Sequence, residues 1–152
     1  AEQVSRFHRV GGLNVVQMVL DGLFDRFPTL KVYYAETHAG WLPFFLHMAD
    51  LRYERHHWWA EDMLGFKALK RLPSEYIKEH IYWGFRDDPI GVEMRHHVGV
   101  DRLIWATDFP HQESDYPDSQ AVIDRIFEGV PQDERRKMLV DNVVEFFHLD
   151  AA

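Results

Sequence analysis

Apolar and polar positions along this chain group into blocks with alternating helix and strand periods. From Leu13 to Phe27 the apolar residues Val16, Val19, Leu20, Leu23 and Phe27 recur at helical spacing, and Pro28 ends that helix. Residues 1–12, ending in Gly11-Gly12, read as a loop before it. Lys31 to Glu36 is rich in β-branched and aromatic side chains and predicts a strand. Trp41 opens a long helix with Pro43 in its first turn, running through Met48, Leu51 and Tyr53 to His56-His57-Trp58-Trp59. Residues 60–73 read as a shorter helical excursion closed by Pro73, and Pro73-Ser74-Glu75-Tyr76 as a turn. His80 to Phe85 is a second strand, Ile90 to His97 a short helix, and Gly99 its C-terminal cap. Arg102 to Thr107 is a third strand: Leu103, Ile104, Trp105 and Ala106 are the run expected of a strand buried on both faces. A helix starting between Asp115 and Ser119 turns Val122, Ile123, Ile126 and Phe127 inward. Pro131 to Val140 is a further helix with Met138 and Leu139 inward, and Asp141-Asn142 begins a last one over Val143–Phe147.

Strands alternating with helices imply right-handed crossovers and a parallel sheet. Each of the three strands ends in a polar cluster: Glu36-Thr37-His38, Arg86-Asp87-Asp88 and Asp108-Phe-Pro-His111. In α/β proteins the active site lies at the C-terminal ends of the strands. A carboxylate and an imidazole three positions apart there can bind a cation or move a proton; the plainer reading is that Asp108 caps a turn and Pro110 breaks the strand. Three such ends in one chain shift the balance toward a shared catalytic face.

Composition narrows the chemistry. With 152 residues, 46% hydrophobic and 28% charged, the chain has the make-up of one globular domain. A net charge of −8 argues against nucleic acid. Without cysteine there is no thiolate site, so any metal is held by His and carboxylate. No apolar run reaches the ~18 residues of a membrane span. No signal-peptide layout opens the chain, so a cytoplasmic location is the default expectation.

Three parallel strands with large helices make a poor stand-alone domain, because both faces of such a sheet must be covered. A closed (β/α)₈ barrel takes about 250 residues. The expectation is therefore an α/β fold: a single partial-barrel domain over residues 1–152, the C-terminal part of a TIM (β/α)₈ barrel with about three βα units. Its upstream strands would lie outside the chain or be supplied by a partner, which predicts a homo-oligomer or a need for the N-terminal half.

The motifs in order resemble a known family. Phe27-Pro-Thr-Leu-Lys-Val-Tyr-Tyr-Ala-Glu-Thr-His-Ala-Gly-Trp-Leu-Pro43 looks like the sixth-strand region of the metal-dependent amidohydrolase-2 family, which includes aminocarboxymuconate-semialdehyde decarboxylase and the resorcylate-type decarboxylases. Trp105-Ala-Thr-Asp-Phe-Pro-His111 resembles its eighth-strand motif, and Asp141-Asn142-Val-Val-Glu-Phe-Phe147 its C-terminal helix. The resemblance implies a (β/α)₈ barrel with one divalent metal, zinc commonly and manganese as an alternative, and non-oxidative decarboxylation or hydrolysis. It implies that Asp108 binds the metal or its water. The family's sixth-strand His lies six residues before the Pro, which falls here on Thr37. His38, one place later, becomes the candidate proton-transfer residue and Glu36, one place earlier, its substitute. The family's His-x-His pair has no counterpart in this chain, and His8 is the nearest candidate for a fifth-strand ligand.

Further candidates follow from residue chemistry. Arg86 suits bidentate binding of a substrate carboxylate, with an ion pair to Asp87 as the alternative. His111 could orient Asp108 or touch substrate. Trp41 could line a pocket or belong to the core. His56-His57-Trp58-Trp59 faces several ways on a helix and reads as a packing or interface patch. His96-His97 suits a helix C-terminus. Two functions are expected: a metal-dependent hydrolase or carboxy-lyase acting on small carboxylated or cyclic compounds, of which this is the catalytic C-terminal half, or a non-catalytic barrel remnant serving as an oligomeric or partner-binding module.

Overall fold

The computed structural model describes residues 11–149, so His8 and most of the expected N-terminal loop lie outside the described residues. Helices α1 (Gly12–Leu20) and α2 (Leu23–Arg26) replace the single helix expected over 13–27. Gly22, at φ 68°, breaks them apart, a left-handed conformation that glycine adopts without steric cost. Val15, Val19 and Phe24 are the buried apolar side chains here, while Phe27 is exposed.

Strand β1 (Val32–Tyr34) leads through the Glu36–Gly40 loop to helix α3 (Leu42–Leu64). Helix α3 runs beyond Trp59 and is closed at Gly65, whose φ of 71° ends it and whose N–H donates to Glu61 O at 3.1 Å. Residues 65–72 are not helical, and Pro73 opens a helix, α4 (Pro73–His80), instead of closing one. Both the expected helical excursion over 60–73 and the turn at 73–76 are therefore corrected. Proline loses nothing at the first helical position, where its missing N–H has no intrahelical partner. Glu75 accepts the Leu72 N–H at 2.8 Å, and Asp50 accepts both the N–H and the hydroxyl of Ser74 at 2.8 and 2.6 Å. Asp50 lies 24 positions away, which local pattern cannot show.

After α4 come β2 (Ile81–Phe85), short helices α5 (Pro89–Glu93) and α6 (Arg95–Val98), a 3₁₀ turn (Val100–Arg102), and β3 (Leu103–Trp105). The sheet has the order β1-β2-β3, and β2 and β3 pair in parallel with Trp83 opposite Leu103 and Phe85 opposite Trp105. The parallel α/β reading of the sequence is thus realised, with every residue of β2 buried as a sheet covered on both faces requires. Helix α7 (Ser119–Ile126) buries Ile126 and Phe127. Helix α8 (Gln132–Arg136) passes through a π-helical turn (Lys137–Asp141) directly into α9 (Asn142–Phe147).

The chain divides into two compact units. The first holds the described residues up to Val32 with Trp41–Ile81. Here His80 donates from Nδ1 to Leu30 O at 2.8 Å while stacking on Phe24 at 4.3 Å, and Tyr76 Oη donates to Asp25 at 3.0 Å. The second holds Tyr33–Gly40 and the described residues from Tyr82 on. In it the fully buried Asn142 donates to Val100 O and Leu103 O at 2.9 and 2.7 Å, tying α9 to the entrance of β3. Among the described residues no helix is long and apolar enough to cross a membrane.

Candidate metal centre at the strand ends

The polar clusters at the C-terminal ends of the three strands all lie in the second unit. Asp108 lies three residues beyond Trp105, the last residue of β3. Its backbone sits at φ 60°, and Glu36 and His38 after β1 both sit at φ 56°. Non-glycine residues in this region are strained by about 1 kcal/mol or more, and such residues persist where surrounding bonds fix them. The bonds are present. Gly84 O accepts the N–H of both Thr37 and His38 at 3.0 Å, and the Asp108 carbonyl accepts the His111 N–H at 2.9 Å. Thr107 O accepts the Asp115 N–H at 3.0 Å and the Ser114 hydroxyl at 2.9 Å.

This framework brings Glu36, Asp108 and His111 together: one ligand atom from each lies within 4.8 Å of the others. His111 Nδ1 is 2.8 Å from Asp108 Oδ1 and 3.9 Å from Glu36 Oε1. Two carboxylate oxygens and an imidazole nitrogen form a donor set that a divalent ion such as Mn²⁺ or Zn²⁺ accepts. Thr37, on which the count back from Pro43 falls, is buried, and its hydroxyl donates to Tyr34 O at 3.3 Å.

Arg86 stands on the other side of Asp108, its Nη1 3.7 Å from Oδ2. It also faces Glu113 at 3.5 Å and Asp115 at 3.9 Å. Arg86 Nη1 and Asp115 Oδ2 are both buried without a hydrogen-bond partner. Burial pushes the Asp115 carboxyl above the ordinary carboxylate range; Asp87 adds to this, while Arg86, Arg125 and His38 pull it back. Asp87 itself pairs outward with Arg125 at 2.6 Å, so the neighbours Arg86 and Asp87 bind different partners.

His38 faces the carboxylate of Asp88, with Nδ1 3.8 Å from Oδ2. Trp41 belongs to the first unit, where its ring packs edge-on against Phe45 at 5.1 Å. Sequence reasoning placed Asp88 in the polar cluster after the second strand without a role, and gave no site role to Glu113 or Asp115. Only Asp88 carried a signal, since an Asp directly before a Pro marks a helix N-cap.

The family model for amidohydrolases matches residues 12–149, and the chain belongs to that amidohydrolase family. Among solved structures, it is similar to the 5-carboxyvanillate decarboxylase LigW from Sphingomonas paucimobilis, with 27% identity and a TM-score of 0.74 over 91% of this chain and 39% of that one. A dihydroxybenzoic acid decarboxylase from Polaromonas sp. JS666, solved with manganese and the inhibitor 2-nitroresorcinol, shares the fold at 21% identity and TM-score 0.70, over 93% of this chain and 40% of that one. The 2,6-dihydroxybenzoate decarboxylase from Rhizobium does so at 20% identity and TM-score 0.69, over 92% and 41%. The chain thus spans about two-fifths of the length of these proteins. No curated protein sequence matches it.

Proposed function

We propose that this chain is the C-terminal part of a (β/α)₈ barrel in a divalent-metal-dependent enzyme that removes a carboxyl group from small aromatic carboxylates. The convergence of Glu36, Asp108 and His111 beside Arg86 carries the reading. Glu36, Asp108 and His111 would hold the ion, with Asp108 as the central ligand. A bound divalent ion supplies Lewis-acid polarisation of a substrate oxygen. Arg86 Nη1, which has no hydrogen-bond partner and stands 3.7 Å from Asp108 Oδ2, is offered to a substrate carboxylate or phenolate oxygen. In the reaction the bond between ring carbon and carboxylate breaks, CO₂ leaves, and the electron pair stays on the ring carbon. That carbon then needs a proton, which His38 delivers and recovers from solvent through its partly exposed ring. The aromatic-carboxylate decarboxylases with the same fold support decarboxylation over hydrolysis.

The test is Mn²⁺ titration of the purified protein, read by electron paramagnetic resonance, alongside CO₂ release from a panel of hydroxylated benzoates. One Mn²⁺ per protein is expected. Asp108→Asn, which takes the negative charge from the ligand oxygen, should weaken binding by at least about 10- to 100-fold and abolish CO₂ release. Unchanged Mn²⁺ affinity in Asp108→Asn refutes the reading.

A further inference from the structure

We propose that Asp88 is a positioning residue for His38: one buried carboxylate fixes both the loop that carries the imidazole and the nitrogen from which the imidazole gives its proton. This rests on the reading of His38 as the proton carrier. Asp88 is the N-cap of α5, and that task occupies only Oδ1, which accepts the Gly91 N–H at 2.9 Å. Oδ2 reaches 48 and 49 positions back along the chain, accepting the Gly40 N–H at 3.0 Å and the Ala39 N–H at 2.6 Å. The space around the carboxylate is kept clear by small residues. A Cβ at Gly91 would sit 2.5 Å from Asp88 Oδ2, and one at Gly40 would sit 3.0 Å from Oδ1. Together with the Gly84 carbonyl, Asp88 holds the backbone on both sides of His38.

The same Oδ2 lies 3.8 Å from His38 Nδ1. A negative oxygen there favours a proton on Nδ1 and disfavours the tautomer that points the Nδ1 lone pair at it. A His38 imidazolium that gives its Nε2 proton to the ring carbon is left as the Nδ1–H tautomer, which this carboxylate stabilises. Contacts of this length in a ligand-free site tighten when substrate binds.

Asp88→Asn removes the charge and keeps one acceptor oxygen. That oxygen serves the N-cap bond to Gly91, and an NH₂ group turns toward Ala39 and Gly40. The variant therefore tests the loop clamp and the tautomer together, and the wild-type spectrum tests the tautomer alone. The ¹⁵N spectrum of the metal-free wild-type protein should show neutral His38 as the Nδ1–H tautomer; Asp88→Asn should show a mixture. The variant should keep its Mn²⁺ affinity within about twofold and its KM, while kcat falls about 10- to 100-fold, the usual cost of removing such a partner. A wild-type spectrum dominated by the Nε2–H tautomer, which requires no variant to fold, overturns the proposal. So does wild-type kcat in Asp88→Asn. His38→Gln tells the two readings apart: if it is inactive while Asp88→Asn is fully active, only the role of Asp88 falls; if it retains activity, the proton-carrier reading falls as well.

Discussion

Gly84 is the point where β2 supports the loop that carries Glu36 and His38, and it tests the framework directly. A Cβ there would lie 2.5 Å from Tyr33 Oη, 3.0 Å from Tyr33 Cζ and 3.0 Å from the backbone nitrogen of Glu36. The Tyr33 ring cannot swing away freely, since it packs on Phe146 and Phe147 at centroid distances of 5.6 and 5.9 Å. Gly84→Ala must therefore push the end of β1 off β2. Overpacking of this kind costs about 1–3 kcal/mol. The Thr37 and His38 N–H bonds to Gly84 O stretch in the same movement, at up to ~0.5–1.5 kcal/mol each. A combined loss of about 2–4 kcal/mol follows, because the two strains share one relaxation. For a protein of this size that is a drop of roughly 5–15 °C in Tm, measured by circular dichroism. Mn²⁺ affinity should fall with it, because Glu36 moves. Tyr33→Phe deletes the atom that a Cβ would strike first and has little else to disturb. Added to Gly84→Ala, it should recover about 1 kcal/mol, a coupling expected of residues in contact. A Tm unchanged in Gly84→Ala, or a double variant no more stable than Gly84→Ala alone, refutes this account of the loop.

Two further perturbations act away from the metal centre. Asn142→Ala strips the Val100 and Leu103 carbonyls of their buried donor and should cost about 2–4 kcal/mol, read from the urea midpoint. Burial and the hydrogen bond to Glu145 push the Tyr82 phenol up to about 12, with Arg102 pulling the other way. Its folded value lies above the unfolded one, so its contribution to stability is whole below about pH 10 and is lost as pH rises through about 12. Urea midpoints should therefore fall across that window in the wild type, and Tyr82→Phe should remove that part of the decline.

The sequence by itself determined the alternation of helices and strands, the parallel sheet, and the three polar strand ends, because burial on both faces and helical periodicity leave local marks. The run from Leu103 to Ala106 and the stop at Asp108 are of this kind, and so is the polar cluster after β1. Element boundaries depended on partners far along the chain. Pro73 opens a helix because Asp50 and Glu75 accept the N–H groups around it. The helix expected over 13–27 breaks at Gly22, since its buried face passes through Val15, Val19 and Phe24. At the site, residue types were legible but their partners were not. Arg86 faces Asp108, Glu113 and Asp115 in place of its neighbour Asp87. Asp88 caps α5 through one oxygen, and only the fold brings Ala39, Gly40 and His38 to its second. Local sequence limits backbone conformation and which face is apolar. Which carboxylate meets which imidazole is decided only when strands distant in sequence lie side by side.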